Sequence, residues 1–507
     1  MRKLFTLFLA LAAMTNVFAS VQIGSLYYTL NDAEETAYVD EDPASILPYK
    51  SLTSVIIPTT VTYNSKTYKV TAIGNNAFNG ATNITSLVVS DNVTIIGNAA
   101  FNGCIKLASV ILGQGIETIG TAAFTGCSKL TNVTLMCDKI VRKTYKEDAN
   151  IGHIFGEQVT DYTIGDGVKT IGYYAFDGCA NMKNITISNS VTSIYPYAFY
   201  GCSGLTQVAL PNSVTRVSFA AFSQCSKLTA PVYNEHVYAY MPPAICPESV
   251  TIPEGITLIA GGAFYMLKAL KSIALPESLE EIGYAAFFYC TNLTTINFPN
   301  NIKITGIDAF CGTGISTPLY NEYIYAYMPP SLLVSSVSIP EGIQVIAPSA
   351  FYLCSELQSV EIPNSVTTIG GFAFKLSGLK HISIGKNVSF IDGTEVFYGC
   401  SHLEEIYNYA TIPQHIVASV FGGSDSYPAV DKTKCKLYVP EASVEAYKAK
   451  DVWKDFGDNI IGMKDPQGIN TPSLQGRSGE ASKFIRDGQL LIEKDGKTYT
   501  ATGVEIK

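Results

Sequence analysis

Charge is scarce in this chain. Charged residues make up 15% of its 507 positions, with a formal net charge of −9, against about 25% charged residues in ordinary domains. No basic patch stands out that would neutralise phosphates, so nucleic acid is not an expected partner. The five histidines (His153, His236, His381, His402, His415) are scattered, and no Cys-x-x-Cys occurs among twelve cysteines, which leaves no zinc-type spacing. A Gly-rich phosphate loop and a Gly-x-Ser-x-Gly elbow are both missing. The acidic stretches Asn31–Glu35 and Asp40–Asp42 lack the alternating ladder of a calcium loop. The sequence therefore offers no catalytic residues, no metal site and no cofactor, and the expectation is a protein that is not an enzyme. Long apolar runs are also lacking beyond Leu4–Ala13. With Arg2-Lys3 before it and Val17, Phe18 and Ala19 after it, that run reads as a signal peptide over 1–19. The chain is expected to be exported, to the extracellular space or outer cell surface or to the periplasm. No further apolar run is long enough for a membrane span. The first cysteine is Cys104, too late for a lipid anchor directly after cleavage.

What the chain has is a beat. Ala-Phe recurs at Ala77-Phe78, Ala100-Phe101, Ala123-Phe124, Ala175-Phe176, Ala198-Phe199, Ala221-Phe222, Ala263-Phe264, Ala286-Phe287, Ala309-Phe310, Ala350-Phe351 and Ala373-Phe374, with the variant Val396-Phe397. Within each group of three the phenylalanines are 23 residues apart. A fixed period of this size marks a solenoid, in which one repeat cannot bury its own apolar edge but a stack can. In Leu205–Lys227, residues Leu205, Val208, Leu210, Val214, Val217, Ala221, Phe222 and Cys225 point inward if one turn closes every 23 residues. Eight cysteines sit three residues after a repeat phenylalanine. They belong to the repeat and are expected to be buried free thiols acting as small apolar residues. A glycine after position 13 (Gly97, Gly120, Gly172, Gly283, Gly370) is expected to serve a tight corner.

The run IPNSVTTIGGFAF (Ile362–Phe374) and SNSVTSIYPYAFYGC (Ser188–Cys202) resemble the BspA-like leucine-rich repeats of surface and secreted proteins in Bacteroidota and others. The resemblance implies a β-rich member of the α/β solenoid class, a curved right-handed leucine-rich-repeat solenoid. It further implies adhesion to proteins on host or bacterial surfaces.

The beat breaks three times, with phenylalanine intervals of 52, 42 and 41. These give irregular coils at 130–158, 228–246 and 315–332, and about fifteen turns in all. The last two breaks are near-copies, LTAPVYNEHVYAYMPP and ISTPLYNEYIYAYMPP, at an offset of 87. In them the Ala-Phe-Cys segment reads as missing. Leu228, Tyr233, Val237 and Tyr240, and likewise Ile315, Tyr320, Ile324 and Tyr327, read as core.

The domain reading is a signal peptide (1–19), an N-terminal β cap and first coil (20–70), repeats (71–403) and a C-terminal cap (404–463) with a helix over 442–456. A linker (464–480) and a β-meander (481–507) follow. The meander either docks on the solenoid or serves as a sorting tail. Two surfaces compete for a protein or glycan ligand. One is the outward face of the strands, with Lys271, Thr294, Asn297, Lys380 and His381. The other is tyrosine-rich: Tyr238, Tyr240, Tyr323, Tyr325 and Tyr327 in the short coils, and Tyr265, Tyr289, Tyr352 and Tyr398 after the repeat phenylalanine. Alternate short-coil tyrosines are expected to point outward if their partners are core. Core filling is the competing reading of the same rings.

Overall fold

The structure, a computed structural model, describes residues 20–41, 49, 51–145, 150–464, 482–486, 489–494, 497–500 and 504–506. The signal-peptide expectation, the interior of the linker and the two Asp-Gly turns near the C-terminus lie outside those residues. The chain divides into two compact units, 1–234 and 235–507. Each is built of stacked β-solenoid coils, about 17 turns in the whole chain.

The first unit opens with an antiparallel cap, Leu26–Asn31 against Thr36–Asp40, and a hairpin of Thr60–Tyr63 and Lys66–Ile73. Successive turns then give four-residue strands. Ser54–Ile57, Ser86–Val89, Ser109–Leu112, Asn132–Leu135, Asp161–Ile164 and Asn184–Ile187 form a parallel, in-register sheet. Their side chains alternate between core and outside, as a strand period of two requires. A second ladder of two-residue strands runs through Ile95–Ile96 and Thr118–Ile119, and again through Thr170–Ile171, Ser193–Ile194 and Arg216–Val217.

The Ala-Phe segment closes each turn without being a strand. The Phe78 N–H donates to Ala100 O at 2.7 Å, and the Phe101 N–H to Ala123 O at 2.8 Å. The phenylalanine rings stack: Phe78 on Phe101 at 4.9 Å between centroids, and Phe101 on Phe124 at 5.3 Å. Phe176, Phe199 and Phe222 continue the pattern at 5.3 and 5.1 Å. The residue before Ala-Phe turns the corner at left-handed φ, as in Ala99 (53°), Ala122 (56°) and Tyr197 (58°). That conformation costs roughly 1–2 kcal/mol per non-glycine residue, a strain that ring stacking offsets turn after turn. The glycines expected at a corner serve a different purpose. A Cβ on Gly120 would lie 2.5 Å from Asn98 N and 2.6 Å from Gly97 C. Clearance to the coil beneath, rather than an unusual φ, demands glycine there.

All twelve cysteines are free thiols, nine of them buried. Six of the eight repeat thiols donate to the phenylalanine carbonyl one coil earlier, as in Cys104 to Phe78 O at 3.3 Å, Cys202 to Phe176 O at 3.0 Å and Cys290 to Phe264 O at 2.9 Å. Burial pushes the Cys104, Cys127 and Cys290 thiols up to about 12. They stay protonated and unreactive at neutral pH, because the thiolate is the nucleophile. A charged maleimide is expected to modify at most Cys179, Cys246 and Cys311 in the folded chain and all twelve in denaturant. Peptide mass spectrometry that finds Cys104 or Cys290 alkylated in the folded chain would contradict this packing.

The second unit repeats the scheme. Leu258–Ile259, Glu281–Ile282 and Ile304–Thr305 follow Val237–Tyr240 in one short-strand ladder. Val345–Ile346, Thr368–Ile369 and Phe390–Ile391 follow Ile324–Tyr327 in another. The longer strands fall into two sheets. One holds Ser249–Thr251, Ser272–Ala274 and Thr295–Ile296. The other runs from Ser336–Ser338 through Ser359–Ile362, His381–Ile384, Glu405–Asn408 and Lys436–Pro440 to Ile460–Met463. On its opposite edge Ser336–Ser338 pairs in parallel with Ser482–Arg486, the first strand of the C-terminal meander. Phe484 and Ile485 are buried there.

The helix expected over 442–456 is corrected. The α-helix spans only Val444–Ala449, and Trp453–Asn459 is a separate 3-10 segment. The chain breaks at Lys450–Val452, where Val452 takes φ 68°. This delivers Trp453, fully buried, onto Phe421 at 5.7 Å. Its Nε1–H donates to Gln414 O at 2.9 Å. A closing aromatic decides the local backbone over helix propensity, and it covers the end of the phenylalanine stack as a terminal cap must.

Candidate binding surfaces

The short coils prove to be core. Met241 N donates to Ala263 O at 2.9 Å and Met328 N to Ala350 O at 2.7 Å, the same bond that Phe264 and Phe351 make to the next coil. Tyr240-Met241 and Tyr327-Met328 thus hold the backbone place of Ala-Phe. That segment is not missing; its ring comes from elsewhere. Tyr238 stacks on Phe264 at 5.1 Å and Tyr325 on Phe351 at 5.0 Å, filling the slots that methionine leaves. Tyr238, Tyr240, Tyr325 and Tyr327 are all buried, so the outward orientation expected of alternate tyrosines is corrected. Tyr323 is half-buried. Tyr233, read as core, is 46% exposed, and Val232 is buried instead.

An asparagine ties each short coil to the turn of the coil before it. Asn321 Nδ2 donates to Pro299 O at 3.0 Å and Ile302 O at 2.9 Å, while Oδ1 accepts from Tyr323 N and Ile324 N. Asn234 Nδ2 makes the matching bonds to Pro211 O and Val214 O, both at 2.8 Å. The repeated Tyr-Asn-Glu was the available signal for this role.

The outward strand face is largely paired with itself. Lys271 Nζ lies 2.6 Å from Glu248 Oε1. Asn297 is spent on the preceding coil, accepting from Leu275 N at 2.7 Å and donating to Leu275 O at 2.8 Å. Thr294 is exposed and Lys380 half-buried. His381 Nδ1 sits 3.2 Å from Glu405 Oε2. That carboxylate also accepts from Tyr407 at 3.1 Å and Tyr438 at 3.4 Å, and the two tyrosine rings stack at 4.6 Å. The structure therefore joins His381 to three residues that sequence reasoning did not connect to it.

A tyrosine surface does exist, on the second unit beside the second short coil. Tyr265 stacks on Phe288 at 5.4 Å, and Phe288 meets Tyr289 at 4.6 Å. Tyr265, Tyr284, Tyr289 and Tyr427 are 39, 45, 46 and 51% exposed. Burial first, then Asp308 and Tyr265, pushes the Tyr284 hydroxyl up. For Tyr352 the causes are burial, then Cys311, Asp308, Tyr289 and Tyr427. These neighbourhoods place one carboxylate, Asp308, among the rings. Asp308 is held there by Ser349, whose Oγ donates to Oδ1 at 2.9 Å. A serine of the next full coil can reach it because the short coil between them carries a shorter corner.

The lengthened coil of the first unit holds a cavity of about 130 Å³, lined among others by Asn150, His153, Glu157, Tyr162, Asp177 and Cys179. Burial, then Asp177, pushes the Cys179 thiol up to about 12. His153 Nδ1 lies 3.1 Å from Asn150 Oδ1. A histidine and a cysteine thus share this cavity, but the thiol stays protonated and is no nucleophile there. Among the described residues no group of three or more His, Cys, Asp or Glu could hold a metal ion. No helix among them is long and apolar enough to cross a membrane.

Short parallel strands repeated from coil to coil, in-register ladders and a buried ladder of repeat apolar side chains define a leucine-rich-repeat solenoid. The chain belongs to the BspA type leucine-rich repeat region family, whose profile matches residues 45–158, 153–241, 244–326 and 322–427. Among solved structures it is similar to a leucine-rich cell surface protein of Faecalibacterium prausnitzii A2-165, at 26% identity over 78% of this chain and 96% of that one, with a TM-score of 0.33. It is also similar to a leucine-rich repeat protein of Bacteroides ovatus ATCC 8483, at 22% identity over 88% and 100%, with a TM-score of 0.26. No curated protein matches it.

Proposed function

We propose that this is a non-enzymatic, exported binding protein that holds a protein on another cell or on a host surface. The contact patch on this reading is the tyrosine surface around Asp308. The observation that carries it is the joint exposure of Tyr265, Tyr284, Tyr289 and Tyr427 near the Asp308 carboxylate, whereas the short-coil tyrosines Tyr238, Tyr240, Tyr325 and Tyr327 are buried in the core. Tyrosine is enriched at interface hot spots, where it gives large rigid contact area with a polar tip. The strand face is small, polar and internally paired, so it contributes less.

The test is binding of the full chain to a panel of extracellular matrix proteins and whole bacterial cells. Tyr265→Ala with Tyr289→Ala should weaken the strongest hit at least tenfold, while Lys271→Ala with Thr294→Ala should leave it within about twofold. The reading fails if no panel member binds, or if the strand-face pair matters and the tyrosines do not. Saturable binding on a glycan array, lost with the same tyrosines, would move the ligand class from protein to sugar.

A further inference from the structure

The two short coils are followed by near-copies of one strand, and only one copy is covered. At the offset of 87, Ala244–Pro253 (AICPESVTIP) aligns with Ser331–Pro340 (SLLVSSVSIP). Ser336–Ser338 is paired on its outer edge by the C-terminal strand, with Ser336 opposite Phe484 and Val337 opposite Ile485. The Ser335 N–H donates to Lys483 O at 2.8 Å. Among the described residues, Ser249–Thr251 pairs only inward, with Ser272–Ala274. Its exposure follows. Pro247 is exposed where Val334 is buried, and Glu248 and Ser249 are exposed where Ser335 and Ser336 are half-covered. Val250 is 7% exposed against 0% for Val337. The N–H equivalent to that of Ser335, on Glu248, donates to nothing among the described residues.

An uncovered strand edge is a template for another strand, and extended segments add to such edges through main-chain bonds. Here the molecule itself displays a strand that fits this kind of edge. Beside the change from Val334 to Pro247, a charge difference between the seats favours that same strand. Where Ser335 faces Lys483, the open copy presents Glu248, so a strand in the same register would set Lys483 against a carboxylate. We propose that the edge of Ser249–Thr251 is a second seat for the C-terminal strand, occupied by residues 482–486 of another copy of this chain. The contact is heterologous, tail to body, so it links copies in a row instead of closing a dimer. A tail already seated on its own Ser336–Ser338 strand competes at an effective concentration of order millimolar. Exchange between copies therefore operates where copies are crowded.

The direct measurement is fluorescence anisotropy of a labelled synthetic peptide, residues 482–494, titrated with the full chain. Saturable binding is expected. Glu248→Lys in the chain should weaken it about tenfold by replacing an opposed pair with like charges, and Lys483→Glu in the peptide should restore it. Absence of binding, or binding indifferent to residue 248, overturns the seat. For the second copy, sedimentation velocity of the full chain at rising concentration should show oligomers that Glu248→Lys disperses. The double variant Glu248→Lys with Lys483→Glu should bring them back, a recovery that a merely structural effect of residue 248 would not give. A full chain that stays monomeric throughout overturns the proposed occupant.

Discussion

Replacing Phe287 with alanine should destabilise the second unit by about 3–5 kcal/mol, the range for deleting a large buried aromatic. Phe287 is fully buried. Its ring stacks on Phe264 at 5.1 Å and on Phe310 at 5.6 Å. Its loss removes two aromatic contacts, each contributing about 0.5–1.5 kcal/mol beyond area burial. The backbone cannot close the gap, because the Phe287 N–H is held by Ala309 O at 2.8 Å and the coils are fixed in register. Urea unfolding followed by circular dichroism measures the loss. Tyr289→Ala is the control: two residues away but 46% exposed, it should change stability by less than about 1 kcal/mol. Equal effects from the two substitutions would mean that the ring stack is not what holds the coils together. Because each coil touches mainly its neighbours, the damage should begin locally, with faster amide exchange in the coils of Phe264 and Phe310 than near Phe397.

Much of this architecture was legible because the repeat is written in large residues at a constant spacing. Ala-Phe gave the coil, its period and the inward positions, and the cysteine three residues on proved to be part of the same ladder. The short coils were misread for a physical reason. Phenylalanine does two jobs, holding a backbone position and filling a ring slot, and at Met241 and Met328 the jobs are divided between two residues. The clue was present. Met241 precedes Phe264 by 23 residues, as Met328 precedes Phe351, so the beat continues with a different residue on it. The count of about fifteen turns, which already included the irregular coils, is roughly consistent with the about 17 of the solenoid. The tyrosine surface around Asp308 was only half legible. Tyr265, Tyr289 and Tyr352 stood out by position, but Tyr284 and Tyr427 come near them only through the folding of separate coils, which no local pattern encodes. His381 and Glu405 meet because neighbouring strands pair in register, which follows from the repeat once the coil boundaries are known.

The sharpest separation between a core role and a binding role for the short-coil tyrosines comes from removing one oxygen. Tyr325→Phe should raise stability by about 1–3 kcal/mol. The Tyr325 ring is fully buried between Tyr320 at 5.5 Å and Phe351 at 5.0 Å, and among the described residues its hydroxyl finds no hydrogen-bond partner. Folding strips that hydroxyl of water without replacement, which costs the desolvation of one polar group. Phenylalanine keeps the ring and its stacking and removes only the cost. The same substitution at Tyr447 should have the opposite sign. That ring is equally buried, but its hydroxyl donates to Ala410 O at 2.9 Å. Tyr447→Phe therefore forfeits a hydrogen bond and leaves a buried carbonyl unpaired, a loss of about 1–3 kcal/mol. Chemical denaturation of the two variants beside the parent chain gives both signs in one experiment. A loss of stability at Tyr325 would mean that its hydroxyl has a partner in solution, a bound water or a ligand group, and the short coil would return as a binding site. A gain, with binding on the surface panel unchanged, assigns the short-coil ring to the core and leaves recognition to the tyrosines around Asp308.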